Sequence, residues 1–241
     1  MKVSVVIPAF NEEKLIGETL CCISEAMGAF STRGWESELI VCDNNSTDST
    51  AKLAQAAGAR VVFEPVNQIA RARNKGAEVA EGDWLIFIDA DSRPTAELFA
   101  EVAAAIETGR VLAGGSTVRL DAPGLTAPVV TVIWNCISRT TVLLAGSFIF
   151  CETAAFRRIG GFSLKLFASE ELDLCKRLKE LARDQGLRIV ILNKHPLLTS
   201  ARKFQLYSKW EYFRFLSRTV FGWGRNLESA QECHLWYDGR R

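Results

Sequence analysis

A repeated alternation constrains this chain more than any other feature. Residues 3–7, 39–42, 60–63 and 84–88 are short apolar runs rich in β-branched or aromatic side chains. Such runs read as strands buried on both faces, the kind that parallel sheets contain. Helical spacing follows each of them. Ile16, Leu20, Ile23 and Met27 follow the first, a helix running to Gly58 follows the second, and residues 67–80 follow the third. Behind Pro94, Leu98, Val102, Ala105 and Ile106 make one face of a fourth. Four strand–helix repeats within about 110 residues predict an α/β fold: a doubly wound, mostly parallel sheet with helices on both faces.

Ligands of such sheets bind beyond the carboxyl ends of the strands. Polar clusters stand at three of those ends: residues 8–13, 43–48 and 89–91. After the first strand, Pro8-Ala9-Phe10 breaks the run, Asn11 suits an N-cap, and Glu12 and Glu13 suit the first helical turn. The second half is less regular. It reads as a strand over 111–120, a helix or broken helix over 126–145, a strand over 146–151 and a short helix over 152–158. A helix over 169–185 and a strand over 188–192 follow. No linker composition divides the chain, so a single domain is expected.

Lysine plus arginine number 29 and aspartate plus glutamate 28, a net charge of +1. That balance argues against a protein that coats nucleic acid, which needs surplus cations to neutralise phosphates. An anionic ligand must then be held by a local site. The seven cysteines are odd in number and lack Cys-x-x-Cys spacing, which reads as buried free thiols in a reducing cytoplasm. The apolar run after Lys2 is too short for a signal peptide. Pro123, Gly124, Pro128, Asn135 and Arg139 interrupt the most apolar region, 122–151, so no membrane-spanning helix is expected there, although a helix lying on a surface is compatible with it.

Two phosphate-binding motifs are absent: Gly-x-Gly-x-x-Gly after the first strand, and Gly-x-x-x-x-Gly-Lys-Ser/Thr anywhere. A dinucleotide dehydrogenase and a P-loop NTPase are therefore disfavoured. Acids crowd the sheet edge instead, and acids repel a bare phosphate. A nucleotide there needs a divalent cation between, Mg2+ or Mn2+, held by one or two carboxylates and the substrate's phosphates. Asp89 and Asp91, at i and i+2 on a strand end, can point the same way; the alternative is a pair of turn aspartates before Pro94. On the 67–80 helix, Ile69, Arg73, Gly76 and Ala80 share the buried stripe, while Arg71, Lys75 and Glu78 share a solvated face. A guanidinium on a buried stripe needs a partner. A nucleotide or a sheet-edge aspartate would serve, and so would a structural salt bridge.

Five segments stand in a telling order: Val5-Val-Ile-Pro-Ala-Phe-Asn-Glu-Glu13, Asp43-Asn-Asn-Ser-Thr-Asp48, Ala72-Arg-Asn-Lys-Gly76, Asp89-Ala-Asp91 and Gly160-Gly-Phe162. Over roughly residues 3–180 the chain resembles the family 2 glycosyltransferases, inverting enzymes of GT-A fold that use nucleotide sugars. The resemblance implies Pro8, Ala9 and Glu12 around the base and ribose, and Asp43 accepting from the base, although an Asx-turn would also explain Asp43. It implies Arg73 and Asp89 at the nucleotide, and Asp89 and Asp91 on the metal. The family often has a second aspartate after Asp43; here it is Asn44. An acidic pair opens the helix after Gly-Gly-Phe, its second member acting as general base, and the matching pair is Glu170-Glu171. Glu171 shares a face with Leu174, Cys175 and Leu178, while Asp173 pairs outward with Arg177, so Glu171 is the acid expected to meet the sheet edge. Partial burial would raise its pKa toward that of a base. Acids placed there only for the helix dipole are the alternative.

His195 is a candidate third metal ligand, and residues 199–203 a basic loop able to close over a diphosphate. Residues 1–203 are thus expected to form one GT-A domain, 1–110 its nucleotide-binding half and 111–203 its acceptor half. In a helical C-terminal extension, 204–241, aromatic and basic residues mix over 204–227, which suits packing on the domain, a homodimer or a peripheral membrane contact. The expected reaction is metal-assisted transfer, with inversion, from a nucleotide-diphosphate sugar. A UDP-sugar comes first and a GDP-sugar second. The acceptor is a saccharide hydroxyl or a polyprenyl-phosphate-type lipid, and the setting is a bacterial-type cytoplasm or the inner face of its membrane. A nucleotidyltransferase is the first alternative, but its Gly-rich, basic first loop is poorly matched by Pro8-Ala-Phe-Asn-Glu12. The other is a non-catalytic nucleotide-sugar-binding module, against which the acids at 43, 89, 91 and 171 count.

Overall fold

A computed structural model describes residues 1–121 and 126–202, together with Ser229 and Cys233. The 204–227 stretch expected to pack, dimerise or touch a membrane lies outside the described residues. The elements run β1 (Lys2–Ala9), α1 (Ile16–Ser31), β2 (Glu36–Asp43), α2 (Thr50–Ala56), β3 (Arg60–Phe63), α3 (Ile69–Glu78) and β4 (Trp84–Ile88). Next come β5 (Ser92–Arg93), α4 (Ala96–Glu107), β6 (Val111–Asp121), α5 (Thr126–Thr141) and β7 (Phe148–Glu152). The chain continues through α6 (Thr153–Arg158), α7 (Glu170–Asp184) and β8 (Arg188–Ser200).

The strands form one sheet in the order β3-β2-β1-β4-β7-β6-β8-β5. The first four run parallel, and β6 and β8 run parallel to each other. β7 is antiparallel to both β4 and β6, and β5 is antiparallel to β8. All but β7 and β5 therefore point one way, so the expected mostly parallel sheet is found. From β1 the chain winds to β2 and β3 on one side and to β4 on the other. That reversal opens a crevice beyond the ends of β1 and β4.

Side chains alternate across the sheet. Val3, Val5 and Ile7 face a core made with Ile16, Leu20 and Ile23 of α1 and Leu98, Phe99 and Val102 of α4. Val6, Leu85 and Phe87 face the other core, with Ala70 and Ala77 of α3 and Leu174 and Leu178 of α7. α3 lies close on its strand: a Cβ at Gly76 would stand 2.3 Å from Val6 Cγ1. One helical turn earlier, the same close approach carries Arg73 to the strand ends.

Several expectations need correction. β1 continues through Pro8 and Ala9, which pair with Cys42 and Asp43. Its ladder with β4 has ended by then, at Val6–Phe87, so the missing Pro8 N–H is not needed on that side. Asn11 does not cap α1, which starts at Ile16. Its φ is +52° and its Oδ1 accepts from Thr47 N (2.8 Å), tying two loops together. β8 runs eight residues beyond the expected 192, held by pairing with β6 and β5 across an irregularity. The cysteines are all free, but Cys21 and Cys136 are exposed. Among the described residues no helix is long and apolar enough to cross a membrane.

Candidate active site

The loop after β1 and the turn after β2 are zipped together. Ser46 Oγ accepts from Asn11 N (3.0 Å), Asp48 Oδ2 from Glu13 N (3.1 Å) and Glu13 Oε2 from Ser49 N (3.1 Å). Glu12, only 6% exposed, is turned inward, its N–H donated to Thr50 Oγ1 (2.8 Å). Pro8 and Ala9 are buried beside it. Asp43 is also buried, and its Oδ1 accepts from Ser46 N (3.1 Å), three residues on; this closes the turn but does not cap α2, which starts at Thr50. Asn44 uses both ends of its amide. Nδ2 donates to Val66 O (2.6 Å) and Glu64 O (3.3 Å), and Oδ1 accepts from Gln68 N (2.9 Å). An aspartate could not make the two donations, which accounts for the departure from the acid pair.

Arg73 organises the centre. Its side chain is 1% exposed; Nη1 donates to Glu170 Oε1 (2.7 Å), and Nη2 donates to Asp89 Oδ1 (2.9 Å) and Gly146 O (2.7 Å). Phe162 of the Gly-Gly-Phe turn lies under the guanidinium at 5.1 Å. Burial opposes the charge, but Asp89, then Glu170 and Glu171, outweigh it and raise the Arg73 pKa. The turn is fixed from α3 as well: Asn74 donates to Phe162 O (2.9 Å) and accepts from Phe162 N (2.9 Å). Arg73 thus ties β4, the loop before β7 and the start of α7.

The acidic pair at 170–171 divides its work differently from the expectation. Glu170 is the deeply buried member, at 4% exposure, and carries the bond to Arg73. Glu171 is partly exposed and lines a cleft of about 210 Å3 with Ile69, Arg73, Asp89, Gly146 and Ser147. A Cβ at Gly146 would stand 3.4 Å from the Glu171 carboxyl carbon, so the glycine brings backbone up to the acid. Removal from water, with the negative charges of Glu170 and Asp89, pushes the Glu171 pKa up to about 8 against the pull of Arg73. Val142 (φ +52°) and Ser169 (φ +61°) lie in the chain just before the two walls of this cleft. A β-branched residue with positive φ is a backbone outlier of the kind that gathers at functional sites. α7 holds that joint through Cys175 Sγ to Val142 O (3.3 Å) and Lys179 Nζ to Thr141 O (2.7 Å).

The end of β8 supplies a second arginine. Arg202 Nη2 lies 2.7 and 2.9 Å from the two Glu12 carboxylate oxygens and 3.8 Å from Asp91 Oδ2. Ser200 N donates to Asp91 O (3.1 Å), so the strand end and the acid are joined. Burial works against the Arg202 charge, while Glu12 and Asp91 raise its pKa. Among the described residues, the buried Nε–H groups of Arg73 and Arg202 have no acceptor. A site with such donors is suited to an anion's oxygens.

His195 is not brought to this centre. Its Nε2 lies 3.6 Å from Glu101 Oε1 on α4, four residues up β8 from Thr199, the partner of Ser92. Among the described residues no three His, Cys, Asp or Glu side chains converge as a metal cage. Asp89 and Asp91 each face an arginine, Arg73 and Arg202, and carboxylate oxygens are the kind that hold Mg2+ or Mn2+ together with substrate phosphates. Sequence reasoning named Glu170 in the acidic pair but missed its bond to Arg73, and it missed Gly146 and the individual role of Arg202, which it knew only as part of a basic stretch.

An acidic, arginine-laced crevice at the switch point of this sheet defines a GT-A fold. Solved structures agree. The mannosyltransferase PcManGT from Pyrobaculum calidifontis, in complex with GDP-Man and Mn2+, superposes with a TM-score of 0.67 at 18% identity, over 96% of this chain and 64% of that one. Glucosyl-3-phosphoglycerate synthase from Mycobacterium tuberculosis, with Mn2+, UDP and phosphoglyceric acid, gives 0.60 at 20% identity, over 96% of this chain and 78% of that one. The sequence itself matches the profile of glycosyl transferase family 2 over residues 4–159, and the chain belongs to that family. Among curated proteins, it is 32% identical over 124 residues to dolichol-phosphate mannosyltransferase from Pyrococcus furiosus, covering 48% of this chain and 33% of that relative. The chain thus matches about a third of that relative's length.

Proposed function

We propose that this protein transfers a sugar, with inversion, from a nucleotide-diphosphate sugar to an acceptor hydroxyl, with Glu171 as general base. The observation that carries the reading is the Glu171 carboxyl, held at a pKa of about 8 in a cleft it shares with Asp89. A base tuned toward neutral pH has a use when the attacking oxygen must lose a proton. A phosphate oxygen needs no such help, so a hydroxyl acceptor is favoured over a lipid phosphate. The exposed apolar residues of α5, Val129, Val132, Ile133 and Ile137, favour an acceptor that carries a lipid.

Pro8, Ala9, Glu12 and Asp43 would border the nucleoside, and Asp89 and Asp91 would hold the divalent cation. When bound, the cation supplies positive charge to the leaving diphosphate. Arg73 fixes Asp89 and, through Glu170, the first turn of α7, so Glu171 faces the cleft. The Glu171 carboxylate takes the proton from the acceptor O–H as that oxygen bonds to the anomeric carbon. The bond from that carbon to the diphosphate breaks on the opposite face, and the diphosphate leaves with the electron pair. UDP-sugars and GDP-sugars are the donors to try first, since the solved structures of like fold carry UDP and GDP-Man. Release of nucleoside diphosphate from UDP- and GDP-sugars is the test. Glu171→Gln should lower turnover more than donor affinity, and an unchanged turnover removes Glu171 as the base.

A further inference from the structure

Both carboxylates assigned to the cation already face a guanidinium. Arg73 donates to Asp89 at 2.9 Å, and Arg202 lies 3.8 Å from Asp91 while bonded to Glu12. The two arginines differ in how they are held. Arg73 is enclosed and tied to three elements through both of its Nη groups. Arg202 stands two residues beyond the end of β8, at 17% side-chain exposure, and reaches Asp91 only at ion-pair distance. Like that of Arg73, its buried Nε–H lacks an acceptor among the described residues. Glu12 therefore anchors a positive charge beside the carboxylate that a divalent cation needs.

A fixed cation there acts oppositely on the two components of a metal–diphosphate complex. It repels a bare divalent ion from Asp91, and it attracts the diphosphate. We propose that Arg202 makes metal binding conditional on the nucleotide: its charge keeps Asp91 from taking up free Mn2+ or Mg2+, and the arriving diphosphate, by accepting from the same guanidinium, lifts that block. This inference rests on the donor-site reading above and adds an order to it. Metal is admitted with the donor, and the free site discriminates against cations that bring no phosphate. Glu12 thereby becomes a positioning residue for Arg202 besides a neighbour of the nucleoside.

Mn2+ binding to the 241-residue protein, followed by electron paramagnetic resonance of the free ion, tests this without any turnover. Arg202→Met keeps the apolar stem and removes the charge. Free Mn2+ should then bind roughly tenfold more tightly than to the wild type, while UDP or GDP in the presence of Mn2+ should bind roughly tenfold more weakly. Arg202→Lys keeps a charge near the same place and should leave the Mn2+ affinity near that of the wild type. A merely structural arginine would lower both affinities in Arg202→Met, and that outcome overturns the proposal. So does free Mn2+ binding to the wild type as tightly as to Arg202→Met. Wild-type titration with UDP and GDP plus Mn2+ reads the donor site itself. If neither binds, the donor-site reading fails; if one binds and Mn2+ affinity is unmoved by Arg202→Met, only the Arg202 inference fails.

Discussion

Glu171→Gln should make the free protein more stable, and increasingly so as pH rises. In the folded state the Glu171 carboxyl stays protonated up to a pKa of about 8, against an ordinary value of 4.5. Between those values the folded chain holds a proton that the unfolded chain releases, so the wild type loses stability as pH climbs through the window. A shift from 4.5 to about 8 corresponds to at most about 5 kcal/mol, at about 1.4 kcal/mol per unit. The carboxyl is partly exposed to the cleft, and solvent there reduces the figure to about 2 kcal/mol. A neutral amide of the same shape does not titrate. Urea unfolding of both proteins at about pH 5 and about pH 8.5 should therefore show a gap that widens by about 2 kcal/mol in favour of the variant. A gap of equal size at both pH values would mean instead that Glu171 titrates alike in the folded and unfolded chain, and that the cleft does not raise its pKa. The same variant should be the slower enzyme, the trade expected of a group kept strained for its chemistry.

Arg73→Met should cost about 3–5 kcal/mol in chemical denaturation, because it leaves Glu170 buried without its cation. Replacing Glu170 by Met as well should recover part of that loss; a double variant as unstable as the sum of the singles would contradict the pairing. Asn44→Asp restores the family's acid pair but removes the donations to Val66 O and Glu64 O. It should lose about 1–3 kcal/mol of stability with no gain in nucleotide affinity, and tighter nucleotide binding would show that residue 44 faces the ligand.

The sheet was legible because its strands are continuous apolar runs. β3 and β4 have the expected bounds, 60–63 and 84–88. The buried stripe of α3 was legible for the same reason, since a 3.6-residue period alone puts Arg73 beside Gly76. Failures fell where a side chain answers to a distant segment. Asn11 and the acids after it look like a helix start, yet they bond to a turn 35 residues or more away. A helical wheel places Glu171 on the buried stripe of α7, but what covers the first turn is Arg73, 97 residues earlier in the chain, and it takes Glu170. Asn193, Lys194, His195 and Pro196 end the apolar run of β8 in sequence. Pairing with β6 carries the strand past them, and that leads Arg202 to Glu12. His195 faces Glu101 for the same reason: position along a continued strand decides its neighbours, which a lone histidine in the sequence cannot reveal.

The proposed crevice beyond β1 and β4 would hold the diphosphate of a nucleotide sugar through a cation on Asp89 and Asp91. Calorimetric titration of the wild type and of Asp91→Asn with UDP- and GDP-sugars, each with Mn2+ and with EDTA, tests it most directly. One nucleotide series should bind the wild type with Mn2+, weaken strongly in EDTA, and bind Asp91→Asn equally weakly under both conditions. Binding that is indifferent to both the cation and the substitution, or no binding by either series, would contradict the account.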